Sequence, residues 1–213
     1  MSTARKGWRD DWVDIAATVL LALATVATAW SGYQASRWNG EQAANAGRVN
    51  AARIDSTKAA ALADSQTGID VATFTQWVDA YANDDTELAD FYRRRFRAEF
   101  APAVNAWIAT RPLKNPDAPL TPFAMPEYQL AARAESERRD ADAEVLAAQV
   151  RVDIQRATNY VLCVVLFAAV LFFAGISTRL RTPALRSVLL GFGIVVFVGT
   201  VAWLATFPVS LSV

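Results

Sequence analysis

Histidine is absent from this 213-residue chain, and cysteine occurs once, at Cys163. These scarcities remove whole chemistries. No Ser-His-Asp triad, Cys-His dyad, His-ligated metal, structural zinc or intramolecular disulfide can be built. Net charge is lacking too: 21 Lys and Arg balance 21 Asp and Glu, which excludes a polybasic or polyacidic protein. No Walker loop, G-x-S-x-G, H-E-x-x-H or dinucleotide fingerprint occurs. No catalytic residue, cofactor or metal site is therefore expected, and the chain is read as a non-enzyme. What abounds is apolar, at 54% of residues.

The charges leave long gaps. None occurs between Asp14 and Arg37, between Arg156 and Arg179, or after Arg186. Each gap exceeds the roughly 20 apolar residues that cross a hydrocarbon core of ~30 Å. Three transmembrane helices are expected, at 13–31, 158–177 and 188–209. The first is the weakest, because Thr18, Thr25 and Thr28 interrupt its Ala and Leu. With Arg5, Lys6 and Arg9 before it and Ala27-Thr28-Ala29 inside it, it also fits a secretory signal peptide. The helical pattern runs on through Trp30, so the span is expected to be retained.

Basic residues in short loops orient a membrane protein. Arg5, Lys6 and Arg9 lie in segment 1–12, and Arg179, Arg181 and Arg186 in loop 178–187. Three spans put both segments on one side, read as cytoplasmic. Residues 32–157 and the C-terminal 210–213 then fall outside. Trp8 and Trp12 mark the inner interface, and Trp30, Tyr33, Trp38, Tyr160 and Trp203 the outer one.

Segment 32–157 carries 15 basic and 18 acidic residues and reads as helical. The first span continues outward as a helix to about Asp64, where Ser65-Gln-Thr-Gly68 signals a turn. A second helix follows, with Phe74, Trp77, Val78 and Tyr81 on one face. A third opens at Asn83-Asp84-Asp85, Asp84 and Glu87 forming a capping box. Its buried stripe is Leu88, Phe91, Tyr92, Phe96, Phe100, Val104, Trp107 and Ile108, and Pro102 kinks or splits it. Five prolines within 111–126 make that stretch an ordered loop. From Glu127 the chain turns helical again and runs into the second span.

Small residues recur at three and four along the first helix. A packing seam is expected at Thr18, Ala22, Thr25, Ala29, Gly32, Ser36, Gly40, Ala43 and Gly47, facing Ala131, Ala134, Ala141, Val145, Ala148 and Val152. Glycine is costly inside a helix, which favours genuine packing over an accident of composition.

Two charged clusters invite functional readings and are better explained without them. Arg93, Arg94, Arg95 and Arg97 could hold phosphate, lipid headgroups or nucleic acid, but read as a solvated face paired to Asp90 and Glu99. Glu135, Glu137, Asp140, Asp142 and Glu144 lie on a straight helix, which cannot wrap one ion. Asp14, one turn from the inner interface, is expected to snorkel or to pair with Arg9.

The string Trp30-Ser-Gly-Tyr33-Gln34-Ala35 resembles the W-x-x-Y-Q-A segment after the first span in a bacterial family of uncharacterised three-span inner-membrane proteins. The layout agrees, with a charged helical middle region before two closely spaced spans. The resemblance implies a bacterial inner-membrane location and supplies no catalytic residue.

These readings converge on an all-α membrane protein. Spans one and two extend outward as a long antiparallel hairpin of coiled-coil-like packing, with two further helices against it. The expected function is a structural or interaction subunit, homo-oligomeric, whose partners are the lipid bilayer, its own copies and an unidentified protein, and not nucleic acid. The alternative is a small oligomeric channel or transport component with Thr18 and Thr25 near a pore.

Overall fold

The computed structural model describes residues 4–180 and 182–210, with side chains from Trp12 onward. The side chains of Arg5, Lys6, Trp8 and Arg9, and residues Arg181 and 211–213, lie outside this description.

The chain is all-helical, with 81% of the described residues in helix. Among the described residues there are five α-helices: α1 (Ala4–Ala82), α2 (Thr86–Arg93), α3 (Ala101–Ala109), α4 (Ala131–Ser177) and α5 (Pro183–Leu204). A 3-10 turn lies at Pro122–Ala124. Three of the helices, α1, α4 and α5, are long and apolar enough to cross a membrane.

Two expectations, about the length of α1 and the cap of α2, are corrected. Ser65-Gln-Thr-Gly68 makes no turn, and the helix continues to Ala82. One glycine costs a helix about 1 kcal/mol. Ala63 and Asp70 pack inward on either side, and Thr67 donates its hydroxyl to the Ala63 carbonyl at 2.9 Å. The stop comes at Asp84, which adopts φ 58°. That left-handed conformation is one that Asp tolerates better than most residues. The cap of α2 is Asp85 rather than Asp84, its carboxylate accepting from the Leu88 N–H at 3.0 Å.

The expected third helix is two. Residues 94–100 separate α2 from α3, and Pro102 lies in the first turn of α3, where its missing N–H has no partner to lose. Leu88 and Phe91 are exposed, while Ala89, Phe96, Phe100, Ala103 and Val104 are buried. Helix α4 begins at Ala131, four residues later than read. Helix α5 stops at Leu204 rather than 209, ahead of Pro208, which cannot extend a helix.

By packing, the chain divides into two compact units, Met1–Gly47 with Leu146–Val213, and Arg48–Val145. In the first, Ala17, Leu20 and Ala24 pack with Val170, Ala174 and Leu190. A second cluster joins Ala35 and Trp38 to Ala157 and Tyr160, with Leu204 and Phe207 against it. Gly193 is the one described glycine at a close approach. A Cβ there would meet Leu20 at 3.5 Å and Phe173 at 3.8 Å.

The buried face of α1 is not the expected one. Ala17, Ala24, Ser31, Trp38 and Asn45 are buried, seven residues apart. The expected seam, Thr18, Ala22, Thr25, Ala29, Gly32, Ser36, Gly40, Ala43 and Gly47, is exposed throughout. On α4 the expected stripe is exposed too, and Asp153, Tyr160, Phe167 and Ala174 are buried instead. The physical reason is polar. The packed faces carry Asn45 and Asp153, which bond each other, and Gln34, which bonds the Ser210 backbone, so the contact does not follow the small residues alone.

Candidate functional site

The unit Arg48–Val145 is organised around an aromatic cluster. Phe74 sits 5.8 Å from Trp77, 6.1 Å from Phe100, 5.5 Å from Trp107 and 5.9 Å from Phe123. Phe100 is fully buried and stacks on Phe123 at 5.1 Å. Each such ring contributes on the order of 1.5–3 kcal/mol by burial. Pairs at these separations add about 0.5–1.5 kcal/mol.

A charged network pins this cluster. Asp70 has no exposed surface, and its carboxylate accepts from Arg97 at 2.8 Å and from the Tyr128 hydroxyl at 3.1 Å. Arg97 also pairs with Glu99, whose other oxygen accepts from the Ala131 N–H at 3.0 Å, in the first turn of α4. Tyr128 reaches Thr67 at 3.3 Å. Burial pushes the Asp70 carboxyl above its ordinary pKa, against the opposing effects of Arg97 and the Tyr128 hydroxyl. Burial likewise raises Tyr128, and nearby Asp70 raises it further. Removing one partner of a buried pair costs roughly 3–5 kcal/mol. The surface pair Arg53–Glu144, at 3.6 Å and largely solvated, contributes about 0–1 kcal/mol.

The arginine cluster therefore has divided roles. Arg97 is structural, Arg95 lies over the Phe91 ring at 3.7 Å, and Arg93 donates to the Asn105 amide oxygen at 3.2 Å. Arg93 also borders a groove of about 530 Å³ whose apolar lining includes Trp77, Tyr81, Trp107 and Ile108. Arg111 and Lys114 share its rim. Trp107 is fixed by its indole N–H, which donates to the Pro119 carbonyl at 2.6 Å. Arg111 adopts φ 53°, and its carbonyl accepts from the Lys114 and Asn115 N–H groups at 2.8 and 2.9 Å.

In the other unit, a buried polar set replaces the expected seam. Asp153 accepts from Asn45 and from Gln149, each at 2.8 Å. Arg156 stands 3.6 Å from Asp153 and 4.4 Å above the Trp38 ring. Gln34 exchanges two hydrogen bonds with the backbone of Ser210. Asp14 pairs with Arg186.

The expected interface anchors split into two groups. Trp12, Trp30, Tyr33 and Trp203 are exposed. Trp38 and Tyr160, at 8% and 1% exposure, are core residues. Tyr160 donates its hydroxyl to the Pro208 carbonyl at 3.0 Å. Thr18 and Thr25 spend their hydroxyls on their own helix, donating to Asp14 and Leu21 carbonyls at 2.8 and 2.7 Å. The glycines Gly32, Gly40 and Gly47 have nothing within 4 Å of where a Cβ would stand. Sequence reasoning missed Gln34, Asn45, Asp70 and Asp153. Their spacing offered a signal: Gln34 and Asn45 continue the register of Leu20, Ala24 and Ser31 along α1, and Asp70 follows Ala63 by seven.

Comparison with family models, with curated proteins and with solved structures finds no match.

Proposed function

We propose that this chain is a multi-pass protein of the bacterial inner membrane, acting as a non-enzymatic interaction subunit that assembles with copies of itself through α1. One observation carries the reading: Gly32, Ser36, Gly40, Ala43 and Gly47 form an exposed stripe, and the three glycines have open space where side chains would be. A glycine inside a helix costs about 1 kcal/mol relative to alanine. The chain's own packing recovers none of that cost. Small residues in register let the backbone of a second helix approach closely.

Lipid exposure is supported by the surface of the apolar helices. Val19, Leu23, Val26, Val165, Phe172, Val195 and Val198 are all exposed. Water would penalise such a surface. In this reading Arg179 and Arg186 hold the α4–α5 link on the cytoplasmic side, and residues 32–157 lie outside. Within each unit, paired residues rise in number along α1 as they fall along α4, as in Asn45–Asp153 and in Arg53–Glu144 and Asp64–Arg133. That order supports an antiparallel hairpin with a seven-residue, coiled-coil-like repeat.

The test uses the single native thiol, Cys163, which is buried and silent. Gly40→Cys in native membranes should form a disulfide-linked dimer, and Ala35→Cys, on the packed face, should not. Native mass of the mildly extracted protein should exceed one chain. A single-chain mass together with no Gly40→Cys dimer would sink the proposal.

A further inference from the structure

The groove on the unit Arg48–Val145 combines two features. Its lining is apolar and aromatic, with Trp77, Trp107 and Ile108 held by the surrounding cluster. Its rim is cationic, carrying Arg93, Arg111 and Lys114, and no carboxylate borders it. Among the described residues none of these three cations forms an ion pair, although ion pairs are made elsewhere in the unit. Arg93 is held only by the neutral Asn105 side chain.

We infer that this groove binds a small amphiphilic anion, an apolar body ending in one carboxylate or phosphate. The volume of about 530 Å³ falls within the roughly 300–1,000 Å³ of small-molecule sites, too small for a folded partner. Apolar walls with a few converging charges are the usual design of such sites. Trp107 stands fixed by its bond to Pro119, and the backbone turn at Arg111 is tied by two hydrogen bonds to its carbonyl, so the apolar lining and the turn that carries the rim are formed before a ligand arrives. Preorganisation of this kind lowers the cost of binding. The apolar body displaces water from Trp77, Trp107 and Ile108, and the head takes charge-assisted hydrogen bonds from the guanidinium groups. A lipid-derived acid and a small aromatic acid share this chemistry.

Photolabelling of the full-length protein in bilayer nanodiscs tests the site. Three diazirine probes are compared: a long-chain alkyl carboxylate, the alcohol of the same length, and an aryl carboxylate. Labels are mapped by peptide mass spectrometry. A carboxylate should label residues 77–81 or 107–114 saturably, and the alcohol should not. The alkyl probe labelling better would name a lipid source, and the aryl probe labelling better a small aromatic acid. Arg111→Asn with Lys114→Gln should raise the half-saturating concentration about ten-fold or more, as loss of charged hydrogen bonds requires. Asn tolerates the left-handed backbone at 111. Arg93→Gln, which leaves that turn untouched, should weaken labelling in the same direction. Equal labelling by the alcohol would overturn the inference. So would variants that label like wild type, or labels confined to residues 158–177 and 188–204.

Discussion

Gln34 and Ser210, 176 residues apart in sequence, close on each other in the fold. The Gln34 side-chain oxygen accepts from the Ser210 N–H at 3.1 Å, its amide approaches the Ser210 carbonyl at 3.5 Å, and the glutamine has no exposed surface. A buried amide needs such partners, since leaving it unpaired costs about 1–3 kcal/mol. Beside it, Tyr160 bonds the Pro208 carbonyl, so residues 208–210 are fastened twice. The distinctive Trp30–Ala35 string thus has a packing role, in which Gln34 and Ala35 face inward while Trp30 and Tyr33 face out.

Gln34→Ala should release the C-terminal segment. Limited proteolysis is expected to cut between 205 and 210 faster than in wild type, with a stability loss of about 1–3 kcal/mol. Tyr160→Phe should give the same cut more weakly. Unchanged proteolysis in both variants would contradict the latch.

Asp70 should make stability depend on pH in a definite direction. Burial raises its folded pKa above the ordinary value of 3.8. A raised carboxyl gives stability that is full below the unfolded pKa and is lost as pH rises through the folded value. Relative to Asp70→Asn, wild type should therefore lose stability as pH climbs from about 3.8 through the folded value, then level off. Thermal melts of both proteins across that range check this. A relative gain on raising the pH would mean that the Arg97 attraction outweighs burial.

Two glycines should respond oppositely to the same change. Gly193→Leu places atoms against Leu20 and Phe173 and should cost roughly 1–3 kcal/mol by overpacking. Gly47→Leu points into open space and should leave the fold's melt unchanged while lowering the native mass of the assembly. A destabilised monomer from Gly47→Leu would return that glycine to the chain's own interior.

Sidedness is checked by fusions. Alkaline phosphatase joined after Asp64 or Pro119 should be active, and joined after Arg181 inactive, because the Arg-bearing link is held inside. The reverse activities would invert the proposed orientation.

Conductance separates an interaction subunit from a pore. Thr18 and Thr25 donate their hydroxyls within α1, leaving little polarity to line a path. Purified protein in planar bilayers should pass no resolvable current, and Thr18→Val with Thr25→Val should change assembly alone. Single-channel steps altered by those two substitutions would favour the channel.

Sequence alone determined the helical class and the three long apolar helices. Charge gaps of this length and long runs without an interior Pro are local properties of composition, legible without knowing what packs on what. The 111–126 loop was legible for the same reason, since proline removes helix bonds wherever it stands. Which face of α1 is buried was decided only by tertiary structure. Residues 17 and 18 differ by one step of about 100°, so a seam placed on the small residues lands on the outer surface. On its inward face Asn45 bonds Asp153, Gln34 bonds Ser210, and one carboxylate oxygen of Asp70 accepts from Arg97 and Tyr128. Those partners are 27 to 176 residues apart. A polar side chain reads as solvent-facing until its distant partner is in place, and only the folded chain brings that partner to it.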